Sequence, residues 1–387
     1  MIPLQDLAAH HGPLGGALGA AALRVLASGR YISGAEVEAF EREAADALHV
    51  AHAVGMSSGT DALLALLMAF GVGPGDEVVT TPFSFFASVG AILRVGATPV
   101  FADIDAETLN LDPDAAVSRL GPRTRAVLAV HLFGRVARTG AIATAADTLG
   151  IPLIEDGAQA VGAHDAEPRD SQACAGAAPP RQAVVGAIGR AAALSFFPSK
   201  NLGGFGDGGM VLTRDADLAQ RLRLLRAHGA VAKNQHVALG GNFRLDELQA
   251  ALLRVKLPHL PAWTARRRAI ASRYRAGLSD LSLGLPPPDP GAVWNQFVVR
   301  VPDGRRDALR QHLAEQGVGS AVYYPTPLHL QPCLAGLGLR RGDFPRAERA
   351  AHEVLALPIY PELSLDDVDR VCEVVGGFLR PAVARVG

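Results

Sequence analysis

The chain has 387 residues, 49% hydrophobic and 19% charged, with 37 Lys plus Arg against 38 Asp plus Glu and a formal net charge of −1. Such a length and apolar content can bury a large core and favour one large domain with a smaller one. The near-neutral balance leaves no basic footprint for nucleic acid and no acidic tail, so a small-molecule ligand is the expected partner.

The start, "MIPLQDLAAHHG", lacks a basic segment followed by an apolar run, and no later stretch of about 20 residues is free of charge and turn residues. The expectation is a cytoplasmic chain that does not enter a membrane. From Leu23 to Leu48 apolar residues recur at helical spacing, then "AHAVGM" reads as a strand entering the glycine-opened helix "SSGTDALLALLMAF". Alternating units follow: "DEVVTTP" and "FASVGAILRVG", "TPVFADI" and "DPDAAVSRL", "RAVLAVHLFG" and "TGAIATAADTLG", and the strand "IPLIED". Near-continuous apolar strands, each followed by a helix, predict an α/β fold with a mainly parallel sheet covered on both faces, binding ligand at strand carboxyl ends.

Residues 163–192, rich in Ala, Pro and Gly, break the alternation and read as a surface loop or, more sharply, a lid. "AAALSFF" and "GGMVLTRD" are then strands and "DADLAQRLRLLRAHG" a helix. Long helices over 244–278 are expected to break at Pro258 and Pro261. Beyond the connector "GLPPPDPG", the segments "WNQFVVRV", "RRDALRQHLAEQG", "AVYYP" and a helix from Leu365 make a smaller α+β unit. The boundary falls near Leu257, giving 1–257 and 258–387.

Cys174, Cys333 and Cys372 form no CxxC pattern, which fits a reducing compartment and argues against a disulfide framework or zinc. His49 and His52 lack further ligands at metal spacing, so no metal is expected. Lysine occurs only at 200, 233 and 256. Arg does not deprotonate, so Lys200, between "SFFPS" and a glycine run, is a candidate amine nucleophile. "GFGDGG" matches G-x-G-x-x-G but leads into a strand rather than a helix, which excludes a dinucleotide fingerprint. Its glycines are expected to let backbone pass a bulky group attached near Lys200.

A lysine amine becomes useful as a Schiff base with a carbonyl compound, notably pyridoxal phosphate. Such a cofactor needs a carboxylate for its ring nitrogen, a phosphate cup and a stacking face. Asp156 ends "IPLIED", as ring partner or as a helix cap; Gln159 is a ring contact or a turn contact. Gly59 and Thr60 open a helix, as an anion site or a simple cap, and Ser195 offers a second hydroxyl. Phe85 is a stacker or a core residue.

"GRYISGAEVEAFE", "SSGTDAL", "PGDEVVTTPFSFFAS", "IEDGAQAVGA", "SFFPSK", "GGNFRLDELQAALLRVKL", "YYPTPLHLQPC" and "LALPIYPEL" together resemble the DegT-like sugar aminotransferases. These are fold type I pyridoxal-phosphate enzymes acting on nucleotide-linked keto-sugars. The resemblance implies a mainly parallel seven-stranded sheet in the large domain and a small α+β C-terminal domain. It implies that Lys200 binds the cofactor covalently and shuttles protons, Asp156 partners the ring nitrogen, Gln159 touches the ring and Phe85 stacks. Gly59, Thr60 and Ser195 would form the phosphate cup, completed by Asn242 of a neighbouring subunit in a homodimer with shared sites. Arg244 would face the phosphate or the nucleotide, and His329 the sugar.

The implied reaction moves an amino group from an amino acid, by resemblance glutamate, to a nucleotide-linked keto-sugar, with a lean to a 3-keto-6-deoxyhexose. A cyclitol aminotransferase and a non-catalytic regulatory paralogue are the alternatives. Related sugar 3-dehydratases carry His in place of the lysine, and Lys200 argues against them. The segment after "VGA" is longer than the family pattern, and Arg190 stands where Asp commonly follows Gly.

Overall fold

A computed structural model describes residues 1–165 and 183–380. Its centre is a seven-stranded sheet of β1 (His52–Met56), β2 (Glu77–Thr80), β3 (Thr98–Phe101), β4 (Thr124–Val130), β5 (Leu153–Asp156), β6 (Ala191–Ser195) and β7 (Gly209–Thr213), ordered β1-β7-β6-β5-β4-β2-β3. β7 runs against both neighbours and the other pairings are parallel, as the alternation of apolar strands and helices predicts. One face carries Phe40, Leu194, Phe196, Met210 and Leu253. The other is covered by the helix Gly59–Ala69, whose residues are buried nearly all round, as expected of a helix without a polar face.

A small exposed hairpin, β8 (Ala230–Ala232) and β9 (Gln235–His236), follows the helix Ala216–Leu225. The helix Glu247–Lys256 passes through the single 3-10 turn Leu257–His259 into the helix Leu260–Gly277. The two predicted breaks are thus one. Pro258 lies in that turn, whereas Pro261 sits in the first turn of the next helix, where a missing N–H leaves no bond unmade.

A second core forms where β10 (Phe297–Arg300) pairs antiparallel with β11 (Val354–Leu357) beneath the helices Leu260–Gly277, Arg306–Glu315 and Leu365–Leu379. Ile2 joins this core: its N–H donates to Gly317 O and its carbonyl accepts from Gly319 N, both at 2.8 Å. From there the N-terminal segment crosses to the Lys200 turn. Gln5 Nε2 donates to Ser199 O at 3.2 Å, and His11 Nε2 lies 3.0 Å from the buried Lys256 Nζ, which donates to Gly203 O. A third cluster joins the two cores, with Phe83, Val130 and Phe133 against Val298, Leu328 and Phe344.

Residues 166–182, the middle of the expected loop or lid, lie outside the described residues. The described flanks are not surface loop. Asp165 N donates to Ala183 O at 2.8 Å, Val185 N to Ala163 O at 3.0 Å, and Val185 and Ile188 are buried. The apolar side chains of "AVVGAI" drive this docking. Arg190, exposed, reaches Asp215 Oδ2 at 3.4 Å.

Candidate active site

Two parallel neighbours deliver the central pair. β5 ends in Asp156, and β6 ends in Ser195 and leads into a tight turn in which Lys200 N donates to Phe197 O at 2.8 Å. The turn requires glycine at 203, where a side-chain carbon would overlap the Pro198 carbonyl. Farther on, Gly209 lets β7 run against the backbone of Ser58. The glycines of "GGFGDGG" thus face protein atoms, which corrects the expectation that they clear space for a group on Lys200. Sequence identifies a close approach without identifying what approaches.

Burial pushes the Lys200 amine down to about 8, against the opposing pull of the Asp156 charge. The Asp156 carboxylate is 5% exposed. Its Oδ1 accepts from Ala158 N at 3.1 Å and its Oδ2 from Ser88 Oγ at 2.7 Å. The next residue inward, Glu155, accepts from the amides of Gly186, Ile188 and Gly189 and lies 2.9 Å from His131 Nε2. Ala137 N donates to His131 Nδ1, so the imidazole proton sits on Nε2 and points at Glu155. This fully satisfied knot clips the segment before β6 onto β5 and so fixes the strand ends bearing Asp156 and Lys200 relative to each other.

Gln159 is buried and already committed: Oε1 accepts from Phe133 N at 2.6 Å and Nε2 donates to Tyr324 Oη at 3.2 Å. Burial raises the Tyr324 phenol, with the Asp156 charge adding to the rise and the Gln159 bond opposing it. The Phe85 ring lies 6.4 Å from that of Tyr324 and is 60% exposed, so it is not a core residue. The helix Gly59–Ala69 begins beside Ser195: a methyl on Gly59 would come within 2.8 Å of Ser195 Cβ. Ser58 Oγ caps Asp61 N, and the first intrahelical bond runs from Ala62 N to Ser58 O, so the amides of Gly59 and Thr60 lead the helix.

Asn242 is exposed, and its Oδ1 accepts from Arg244 Nε at 3.0 Å; Phe243 O accepts from Ser57 N, next to the same helix start. His329 lies elsewhere. It is buried against Phe344 with Nε2 3.2 Å from Glu348 Oε1, burial lowers its basicity, and its contacts include none of the residues around Lys200. Sequence reasoning missed Ser88, Tyr324 and the His131–Glu155 pair. Ser88 stands one helical turn after Phe85, a spacing that could have flagged it; Tyr324 arrives from a remote segment with no local signal. Among the described residues no group of three or more His, Cys, Asp or Glu could hold a metal ion, and no helix is long and apolar enough to cross a membrane.

A half-buried amine of lowered basicity, a buried carboxylate whose charge acts on it, a helix start flanked by hydroxyls and an exposed aromatic face match the four demands of pyridoxal phosphate. The residues present fit that cofactor. The sequence model of the DegT/DnrJ/EryC1/StrS aminotransferase family matches residues 16–376. The chain is 42% identical over 384 residues to a pleiotropic regulatory protein of Geobacillus stearothermophilus, covering 98% of this chain and 99% of that one. It is 44% identical over 377 residues to a dTDP-3-amino-3,4,6-trideoxy-alpha-D-glucose transaminase of Streptomyces venezuelae, covering 97% and 95%. The crystal structure of S. venezuelae DesV in complex with a ketimine intermediate superposes with a TM-score of 0.90 at 43% identity, over 97% of this chain and 98% of that one. Fold, site and likeness agree: the chain belongs to the DegT/DnrJ/EryC1/StrS aminotransferase family and is a pyridoxal-phosphate-dependent sugar aminotransferase.

Proposed function

We propose that the acceptor is a nucleotide-linked 3-keto-sugar of the 6-deoxyhexose type and that the donor is an amino acid, glutamate. The observation that carries amino transfer is the Lys200 amine, lowered to about 8 against the charge of buried Asp156. Support for the acceptor comes from relatives whose names specify 3-amino sugars, including the S. venezuelae transaminase and a dTDP-3-amino-3,6-dideoxy-alpha-D-galactopyranose transaminase of Aneurinibacillus thermoaerophilus, 38% identical.

Pyridoxal phosphate supplies a conjugated electron sink that carries the amino group between donor and acceptor. Lys200 Nζ holds the cofactor and, when released, takes and returns the proton at the reacting carbon. Burial favours the neutral form of the amine, which is the form that can take a proton. Asp156 would keep the ring nitrogen protonated, Phe85 would stack on the ring and Gln159 would contact it. The amides of Gly59 and Thr60, the Thr60 hydroxyl and Ser195 bind the phosphate, joined by Asn242 of a second copy in a homodimer. Arg244 faces the phosphate or the nucleotide; His329, the sugar contact that the resemblance implies, is held on Glu348 and Phe344 instead. The division between cofactor domain and smaller domain is placed near Leu257, with Ile2 crossing from the first into the core of the second.

The test is a half-reaction panel: the aminated holoenzyme is offered nucleotide-linked 3-keto and 4-keto sugars and cyclitol ketones, and loss of its bound amino group is followed spectrally. Turnover restricted to 3-keto sugars is expected. Preference for a 4-keto sugar or a cyclitol ketone refutes the acceptor. Silence toward all, with cofactor bound, favours the regulatory role named for the Geobacillus relative.

A further inference from the structure

The helix Ala87–Arg94 opens directly behind Phe85, and its first turn carries a hydroxyl that no step above uses. Ser88 is fully buried, and its Oγ lies 2.7 Å from Asp156 Oδ2 and 3.0 Å from the Oγ of Ser84, which is also buried. An ionised carboxylate only accepts, so the single Ser88 proton points at Asp156. Ser84 must then donate to Ser88. The result is a one-way relay, Ser84 to Ser88 to Asp156, in which each bond polarises the next. Ser88 N also donates to Phe85 O at 3.3 Å, so one short segment sets both the aromatic face and the carboxylate.

Asp156 has two donors in different directions, Ala158 N–H on Oδ1 and Ser88 O–H on Oδ2. Two fixed donors define the plane of a carboxylate, and a lone pair on each oxygen stays free for a further partner. Loss of Ser88 removes one of the two and frees the side chain to turn.

We infer that Ser88, backed by Ser84, is a positioning residue for amino transfer: it holds the Asp156 carboxylate in the orientation that keeps the cofactor's ring nitrogen protonated. The inference rests on Asp156 being the partner of that nitrogen, as proposed above. A proton held on the ring nitrogen repels a second proton on the same conjugated system and so lowers the pH midpoint of the bound cofactor's visible band. A carboxylate whose aim slips lets that midpoint rise.

The experiment titrates the visible band of substrate-free holoenzyme for the native protein, Ser88→Ala, Ser88→Thr, Ser84→Ala and Asp156→Asn, and measures kcat and KM alongside. For Ser88→Ala the midpoint should rise by about one to two pH units, the size expected for losing one bond to a charged group. Its kcat should fall about ten-fold with KM for the sugar little changed. Ser88→Thr keeps the hydroxyl and should return both, Ser84→Ala should shift the midpoint less in the same direction, and Asp156→Asn should shift it further. A native midpoint in Ser88→Ala alongside a shifted one in Asp156→Asn overturns the inference and spares the role of Asp156. Equal shifts in Ser88→Ala and Ser88→Thr also overturn it, because shape rather than the hydroxyl would then matter. An unmoved midpoint in Asp156→Asn overturns both readings. If Ser88→Ala does not fold, Ser84→Ala decides: a smaller upward shift supports the relay and no shift rejects it.

Discussion

Replacing Lys200 by methionine should make the cofactor-free protein more stable at neutral pH. Burial lowers the Lys200 amine from an ordinary 10.5 to about 8, so the charged amine is less favourable in the folded chain than in the unfolded one. At about 1.4 kcal/mol per pH unit the difference is about 3 kcal/mol. Below pH 8 the amine is protonated in both states and the whole penalty is present. Between pH 8 and 10.5 the unfolded chain binds the extra proton, so native stability rises with pH and the penalty fades. Methionine fills a similar volume without the charge, so the variant should gain about 3 kcal/mol at pH 7 and only about 1 kcal/mol at pH 10. For a chain of this length that is a melting shift of about 4 °C falling to about 1 °C. Lys256, also lowered to about 8 by burial, contributes equally to both proteins and cancels in the difference. The assay is a pair of thermal melts of cofactor-stripped native and Lys200→Met protein, at equal concentration, at pH 7 and pH 10. A variant no more stable at pH 7, or a gain undiminished at pH 10, refutes the reasoning.

Gly59→Ala places a methyl 2.8 Å from Ser195 Cβ and must push the helix start away from the end of β6. An overpacking strain of about 1–3 kcal/mol should weaken cofactor binding by roughly 10- to 100-fold, read by titrating stripped protein with pyridoxal phosphate. Unchanged affinity would remove this helix start from the phosphate cup. For the shared site, Lys200→Ala and Asn242→Ala variants, each first shown inactive alone, are mixed under conditions that exchange subunits. About a quarter of sites should recover if Asn242 serves the neighbouring cofactor; no recovery despite proven exchange rejects that role.

The alternation of buried strands and helices was readable because a parallel sheet covered on both faces needs long apolar runs. The order of the strands was not, since β1 lies at the edge beside β7, which is far along the chain and runs the other way. Asp156 stood out because it ends a strand, and Lys200 because it is one of three lysines in an arginine-rich chain and stands before a glycine run. Ser88 and Tyr324 reach their partners across 68 and 165 residues, a relation without local periodicity. The glycine run gave its close approaches but not their partners, and the 163–192 stretch hid short apolar anchors in a low-complexity composition.

The crossing of the N-terminal segment has a consequence for synthesis. Ile2 leaves the ribosome well before its partners Gly317 and Gly319, which follow some 315 residues later. At about 5–20 residues per second that interval is roughly 15–60 s. Throughout it Ile2 has no core to enter, so the contacts it anchors, Gln5 to the Lys200 turn and His11 to Lys256, await the second core. Ile2 is thus placed only after Gly319 is made, and the turn bearing the reactive amine receives its contact from Gln5 no earlier.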